Sequence, residues 1–213
     1  METAVLSNKT PIKNGKIHLI FEGAEVYGLR PPMSDEEFEA FCYQNPNLQI
    51  EQDKHGNIII MSPVSLISGS YESEVLSSLG IWNRQLKIGK TFSPSTLFIL
   101  PDGEKRMPDA AWVSNEKLKH VSQAARKKFA RLVPDFIVEV TSPSDNIEGI
   151  KSNIKDVWCA NGVRLAWLID PKNETTFVFR PGSKTVEVKG FDKVLSGEDV
   201  LLGFEFDLSV LKE

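Results

Sequence analysis

The segment Pro134–Asp145, PDFIVEVTSPSD, decides the fold. Its run from Phe136 to Val140 is apolar and rich in β-branched residues, which is typical of a buried strand. A helical stretch from about Ile147 to Ala160 follows, and a second apolar run extends from Val163 to Ile169. Because strands joined by a helical crossover are normally parallel and adjacent, this segment predicts the centre of a mixed sheet.

Helices and antiparallel strands are predicted upstream of this unit. Ser34 and Glu37 form a capping box that starts a helix, and a Gly56 turn joins two short strands within residues 48–61. A longer helix is expected over about residues 66–87, with Gly89 as its C-cap. Its predicted apolar face contains Val75, Leu79, Trp82 and Leu86.

The order of elements indicates a mixed-sheet α/β or α+β domain, and 213 residues fit a single domain. Residues 1–60 are interpreted as an N-terminal decoration with a helix and a hairpin. Hairpin strands are predicted after the crossover, at residues 175–188, and a short strand with a helical turn near the C-terminus.

Composition restricts the classes of function. The formal net charge is -4, which excludes a strongly basic nucleic-acid coat, and Cys42 and Cys159 cannot build a disulfide framework. The chain has no signal-peptide run and no apolar stretch of membrane-spanning length, so a soluble, cytoplasmic protein is expected. Any chemistry would depend on carboxylates.

Two acidic residues occupy strands that should be apolar. Glu139 lies in the middle of FIVEV, and Asp109 follows Pro108 at the head of the run AAWV. A carboxylate in such a strand is costly unless it is paired or binds a cation. Two carboxylates on neighbouring strands are a common Mg²⁺ site. The alternative is that Glu139 faces solvent and Asp109 only starts a strand.

Three stretches in this order resemble the Uma family of the PD-(D/E)XK nuclease superfamily. They are residues 106–113 (RMPDAAWV), 134–145 (PDFIVEVTSPSD) and 161–171 (NGVRLAWLIDP), and the likeness covers residues 60–185. The resemblance implies a restriction-endonuclease-like core over residues 61–190, in which a mixed four-stranded sheet is flanked by helices.

The resemblance also implies site residues. Pro108 and Asp109 match the Pro-Asp of the superfamily motif and Glu139 matches its second acid, so Asp109 and Glu139 would bind Mg²⁺ or Mn²⁺. A third metal ligand from the preceding helix would be Glu74, with Glu72 as a less favoured substitute.

One position departs from the superfamily pattern. Thr141 stands where a lysine is expected, and in the resembled family a lysine of the following helix replaces it. The candidates are Lys151 and Lys155, with Lys155 preferred from its distance to Gly162, although this segment is one residue longer than the resemblance implies. If both are surface lysines, the site is degenerate.

The leading hypothesis is therefore a Mg²⁺-dependent endonuclease that hydrolyses phosphodiester bonds of DNA, as a homodimer if two strands are cut. The alternative is a catalytically degenerate nuclease fold that serves as a binding or scaffold module; an enzyme acting on another phosphate ester is a third possibility. Six basic residues could contact phosphates or form a solvated loop: Lys117, Lys119, Arg126, Lys127, Lys128 and Arg131.

Overall fold

The computed structural model describes residues 32–143 and 145–212, together with the backbone of three short strands closer to the N-terminus. Its helices are α1 (Asp35–Gln44), α2 (Leu66–Leu86), α3 (Asn115–Lys119) and α4 (Ile147–Asn153). A π-helical segment, Ile154–Cys159, continues α4. Single 3₁₀ turns lie at Ala125–Lys127, Pro171–Asn173 and Leu208–Leu211.

The strands follow the chain as β1 (Ala4–Leu6), β2 (Ile12–Lys13), β3 (Lys16–Ile17), β4 (Gln49–Gln52), β5 (Ile58–Met61), β6 (Gly89–Phe92), β7 (Phe98–Ile99), β8 (Lys105–Arg106), β9 (Ala110–Ser114), β10 (Ala130–Arg131), β11 (Phe136–Val140), β12 (Leu165–Asp170), β13 (Thr175–Phe179), β14 (Val186–Lys189), β15 (Val194–Ser196) and β16 (Glu205–Asp207).

The central sheet has the order β14-β13-β12-β11-β9-β6. Strands β11 and β12 are parallel and adjacent, with Glu139 opposite Leu168, so the predicted crossover is confirmed. The other neighbours in this sheet are antiparallel. The mixed α/β class is therefore confirmed, and the described sheet contains six strands where the resemblance implied four.

A second sheet, of order β1-β5-β4-β8-β7-β10, brings the N-terminal hairpin to the segment before Asp109. The predicted hairpin is confirmed as β4 and β5, and Gly56 takes a positive φ of 88° in its turn. Strand β8 pairs with β4 through Gln52 and Lys105. This pairing fixes where the chain enters the candidate site.

Alternation along β11 separates two cores. Phe136, Val138 and Val140 face a core that contains Val75 and Leu79 of α2, whereas side chains of the opposite face pack with the π-helical segment. A third core lies beneath α1. The side chain of Glu139 therefore leaves the sheet on the side of α4 and the π-helical segment.

The long helix matches its prediction except at its C-terminal end. Leu86, expected in the core, is half exposed, and the helix ends with Lys87 in the left-handed region at φ 57° rather than at Gly89. Gly89 instead begins β6, where a Cβ atom would lie 2.4 Å from Trp112 and from the Val113 carbonyl oxygen. Its missing side chain allows β6 to pair closely with β9.

The predicted capping box at the start of α1 is confirmed, since Ser34 Oγ accepts from the Glu37 N–H and Glu37 accepts from the Ser34 N–H. Within residues 32–143 and 145–212, no helix combines the length and the apolar character needed to cross a membrane.

Candidate active site

The register of the sheet brings Asp109 and Glu139 together. Ala110 lies opposite Val138 in the antiparallel pair of β9 and β11, so the next pair outward is Asp109 and Glu139. The ladder stops there, and the Val140 N–H donates to Asp109 Oδ2 at 2.7 Å. Asp109, just before the start of β9, and Glu139, near the end of β11, therefore lie on one side of the sheet.

Glu139 is held by a tryptophan from the π-helical segment. Trp158 Nε1 donates to Glu139 Oε1 over 3.2 Å, and the Trp158 ring is almost completely buried. In the sequence, Trp158 lies in the helical stretch after the central strand, where a tryptophan indicates a core residue. Its indole also orients a candidate metal ligand, which the helical pattern alone does not reveal.

Burial dominates the electrostatics of the two acids. Removal from water raises the pKa of Asp109 to about 7 although the Val140 hydrogen bond lowers it, and Glu72 adds a smaller increase. Burial also raises the pKa of Glu139 well above its ordinary value, and the negative charge of Asp109 adds to that increase. A cation between the two carboxylates would favour their charged forms.

Asp109 and Glu139 line a pocket of about 640 Å³. Its walls come from the β4–β5 hairpin, the start of α2, the segment before β9, the end of β11 and the start of α4. The lining residues are Glu51, Ile59, Met61, Ser62, Val64, Ser68, Glu72, Arg106, Met107, Asp109, Glu139, Val140, Ser142, Asp145, Asn146, Gly149, Ile150 and Asn153.

The acid that α2 presents to the pocket is Glu72 rather than Glu74. Glu74 is exposed and does not line the pocket, whereas Glu72 lines it and burial raises its pKa. Residues two positions apart on an α-helix are separated by about 200° of rotation about its axis. Only one of these two acids can therefore face the sheet. The structure thus brings the substitute, not the favoured residue, to Asp109 and Glu139.

Neither candidate lysine lines the pocket. Lys151 pairs with Glu148 at 2.7 Å and its Nζ lies 3.8 Å from the ring centroid of Phe177. Lys155 Nζ lies 5.9 Å from the centroid of Phe179. The two lysines do share one side of the helix, but that side covers the aromatic residues of β13.

The face of α4 that lines the pocket carries Asn146, Gly149, Ile150 and Asn153. The wide turn that follows has bonds spanning five residues, from the Ala160 N–H to the Lys155 carbonyl and from the Val163 N–H to the Trp158 carbonyl. Thr141 is buried beside Asp170.

Arg106 is the basic side chain that sequence reasoning missed. Among the described residues that line the pocket it is the only basic one. Its guanidinium contacts Glu51 at 3.0 Å and Glu104 at 2.7 Å, and all three side chains are almost fully buried. The charge of Arg106 is therefore already matched before any ligand enters.

The donor set fits a hard divalent cation held by two carboxylates and water. In the described part of the chain, Asp109 Oδ2 and Glu139 Oε1 each accept one hydrogen bond, which leaves their second oxygens for an ion. No group of three or more His, Cys, Asp or Glu side chains within those residues forms a ready-made metal cluster. Mg²⁺ commonly keeps several waters with one or two carboxylates.

The basic stretch is mostly engaged in internal contacts and does not line the pocket. Lys117 binds Asp135 at 3.2 Å, and Arg131 binds Asp35 at 2.7 Å. Lys119, Arg126 and Lys128 also contact protein groups: Glu116, the Val121 carbonyl and Glu39.

The fold and the pocket define a mixed α/β protein with two partly buried acids at adjacent strand ends. A family model, Uma2, described as "Putative restriction endonuclease", matches residues 35–210. The chain belongs to this family, as its sequence stretches predicted. No curated protein matches the chain.

A solved structure supports the same fold. It is described as "a putative nuclease belonging to DUF820 from Anabaena variabilis ATCC 29413" and superposes with a TM-score of 0.65. The two chains are 20% identical, and the match covers 76% of this chain and 88% of the other. At that identity the similarity concerns the fold.

Proposed function

We propose that this protein is a divalent-metal-dependent endonuclease that hydrolyses phosphodiester bonds of DNA. The observation that supports it most is the pair Asp109 and Glu139, two acids with raised pKa values that line the same pocket. Such a pair is unfavourable as two bare charges and favourable around a cation. Membership of a restriction-endonuclease family supports the reaction class.

Asp109 and Glu139 would hold Mg²⁺ or Mn²⁺, which when bound polarises a phosphodiester and makes a water more acidic. The Trp158 indole would keep Glu139 in the orientation needed for binding. Glu72, across the pocket, is the carboxylate available to orient the attacking water or accept its proton. In this proposal Lys151 and Lys155 stabilise the fold and take no part in the reaction.

The test is a plasmid-nicking assay with Mg²⁺, Mn²⁺ or EDTA. Asp109→Asn and Glu139→Gln are expected to reduce the rate at least about a hundredfold, because each removes a charged ligand while its shape is kept. The matched control is Asp135→Asn, another buried acid at the sheet end that does not line the pocket. Cleavage by both site variants at the wild-type rate would refute the assignment.

A second candidate function is a nuclease-fold binding module without catalysis. One observation favours it: the charge of Arg106 is bound by Glu51 and Glu104, and Lys151 and Lys155 lie outside the pocket. Metal-dependent DNA binding without cleavage, in both Mg²⁺ and Mn²⁺, would support this module over the enzyme.

A further inference from the structure

Glu51 connects the N-terminal hairpin to the segment that carries Asp109. It lies on β4, where its side chain is almost fully buried. Its Oε1 accepts from the Met107 N–H at 2.6 Å, and its Oε2 accepts from Arg106 Nη1 at 3.0 Å. One carboxylate thus fixes two consecutive residues just before Pro108 and Asp109.

The chain between this anchor and Asp109 has little freedom. Pro108 has a restricted φ, and the residue before a proline, Met107, is restricted as well. Beyond Pro108, the Asp109 carboxylate is bound by the Val140 N–H. The position of Asp109 is therefore determined at one end by Glu51 and at the other by β11.

Comparison with Glu104 distinguishes the two contributions of Glu51, its charge beside Arg106 and its bond to the Met107 N–H. Glu104 is as deeply buried and binds the same guanidinium, with its Oε2 2.8 Å from Arg106 Nε. Its carboxylate makes no bond to the Met107 N–H, which Glu51 occupies. Loss of a charge from the ion group and loss of the backbone anchor can thus be told apart by comparing these two acids.

We propose that Glu51 is a positioning residue that holds Asp109 in place through the Met107 N–H. The relevance of this positioning to DNA cleavage rests on the proposed function, but the positioning itself does not. It makes β4, within the predicted N-terminal decoration, part of the candidate active site. A carboxylate misplaced by about 1 Å can cost a hundredfold in rate, so such anchoring has a functional consequence.

Substitutions at Glu51 and Glu104 separate reach from charge. Glu104→Gln keeps the length of the second acid that binds Arg106 but removes its charge, and it leaves the bond from the Met107 N–H to Glu51 intact. Glu51→Asp keeps the charge but is one methylene shorter and cannot span the same distance. Glu104→Asp is the matched control, because it shortens the other acid that binds Arg106.

The first readout is the backbone amide of Val140, observed by NMR hydrogen exchange without metal. This N–H donates to Asp109, so its protection reports the position of that carboxylate. We expect about tenfold faster exchange in Glu51→Asp, and less than about threefold in Glu104→Gln and Glu104→Asp. Thermal unfolding verifies that each variant is folded. A variant that is unfolded at 25 °C is measured, together with the wild type, at a lower temperature.

The second readout is cleavage at saturating Mg²⁺. Positioning predicts that kcat falls in Glu51→Asp with little change in KM, and that Glu104→Gln retains most of the rate. If the wild-type protein cleaves no DNA, the proposed function fails while the Val140 exchange still decides this inference. Equal effects of Glu51→Asp and Glu104→Asp, or a larger effect of Glu104→Gln than of Glu51→Asp, would overturn it.

Discussion

Replacement of Asp109 by asparagine should stabilise the metal-free protein at alkaline pH. Asparagine has the same shape and can still accept the Val140 N–H, so the main change is the removal of a buried negative charge. Burial raises the pKa of this carboxyl from its ordinary 3.8 to about 7. The folded state therefore retains a proton that the unfolded chain releases between those two values.

The sign and the size follow from this linkage. A raised carboxyl pKa gives a contribution to stability that is complete below pH 3.8 and is lost as the pH rises through 7. At about 1.4 kcal/mol for each tenfold change in proton affinity, the whole loss is about 4 kcal/mol near pH 8.5, of which about 2 kcal/mol is already lost at pH 5. Partial exposure of Asp109 to the pocket reduces these values.

The assay is urea unfolding in EDTA at pH 5 and pH 8.5. Asp109→Asn should exceed the wild-type free energy of unfolding by about 2 to 4 kcal/mol at pH 8.5, with a smaller difference at pH 5. Adding Mg²⁺ should stabilise the wild type and leave the variant unchanged. The control Asp135→Asn should destabilise at both pH values, because it loses the 3.2 Å ion pair with Lys117.

Two outcomes would refute the reasoning. A variant less stable than the wild type at pH 8.5 in EDTA would mean that the Asp109 charge is already compensated in the folded protein. A difference that does not change with pH would mean that the carboxyl of Asp109 titrates at the same pH in the folded and unfolded chains.

Three further outcomes test other residues of the site. Trp158→Phe keeps an aromatic ring but removes the donor to Glu139, so Mn²⁺ affinity measured by titration should fall about tenfold while the fold remains. Glu72→Gln should reduce the cleavage rate about tenfold or more, whereas Glu74→Gln should not change it, because only Glu72 lines the pocket. Lys155→Met should cleave DNA at the wild-type rate, and a hundredfold loss would restore that lysine as a catalytic candidate.

The centre of the fold was predictable because its signals are local. The apolar run at Phe136–Val140, its crossover helix and the next apolar run require no distant information, and they form the parallel pair. The second sheet was not predictable in the same way beyond its β4–β5 hairpin. Strands such as β8 and β10 have two residues each, and two residues carry no periodicity.

The candidate site divides along the same line. Asp109 and Glu139 could be identified because a charge interrupts an apolar strand in each case, and the register then brings them together. The rotation of α2 and α4 about their own axes could not be predicted with the same accuracy. Each residue adds 100° of rotation about a helix axis, so an error of one or two residues changes which side chains face the pocket. Such an error decides between Glu72 and Glu74 on α2, and whether Lys155 faces the pocket or β13.

The interactions of Arg106 show a different limit. A helix or strand pattern gives no indication that Glu51, 55 residues earlier in the chain, binds its guanidinium. The sequence motif contains the arginine, but its electrostatic effect depends on a contact between β4 and β8, two strands of the second sheet that are far apart in the chain. A cationic residue next to Pro108 and Asp109 is therefore not evidence of a free positive charge in the pocket.

The charges of the pocket make a cation a requirement for the proposed function. Arg106 is neutralised by its own acids, so the described lining offers no free positive charge to a phosphate. Without metal, a nucleic acid would meet a surface that repels it, and the overall charge of -4 adds to the repulsion at low salt. Binding should consequently depend on Mg²⁺ or Mn²⁺ more steeply than on the basic stretch. The acids of the lining are Glu51, Glu72, Asp109, Glu139 and Asp145, of which Glu51 is already paired with Arg106.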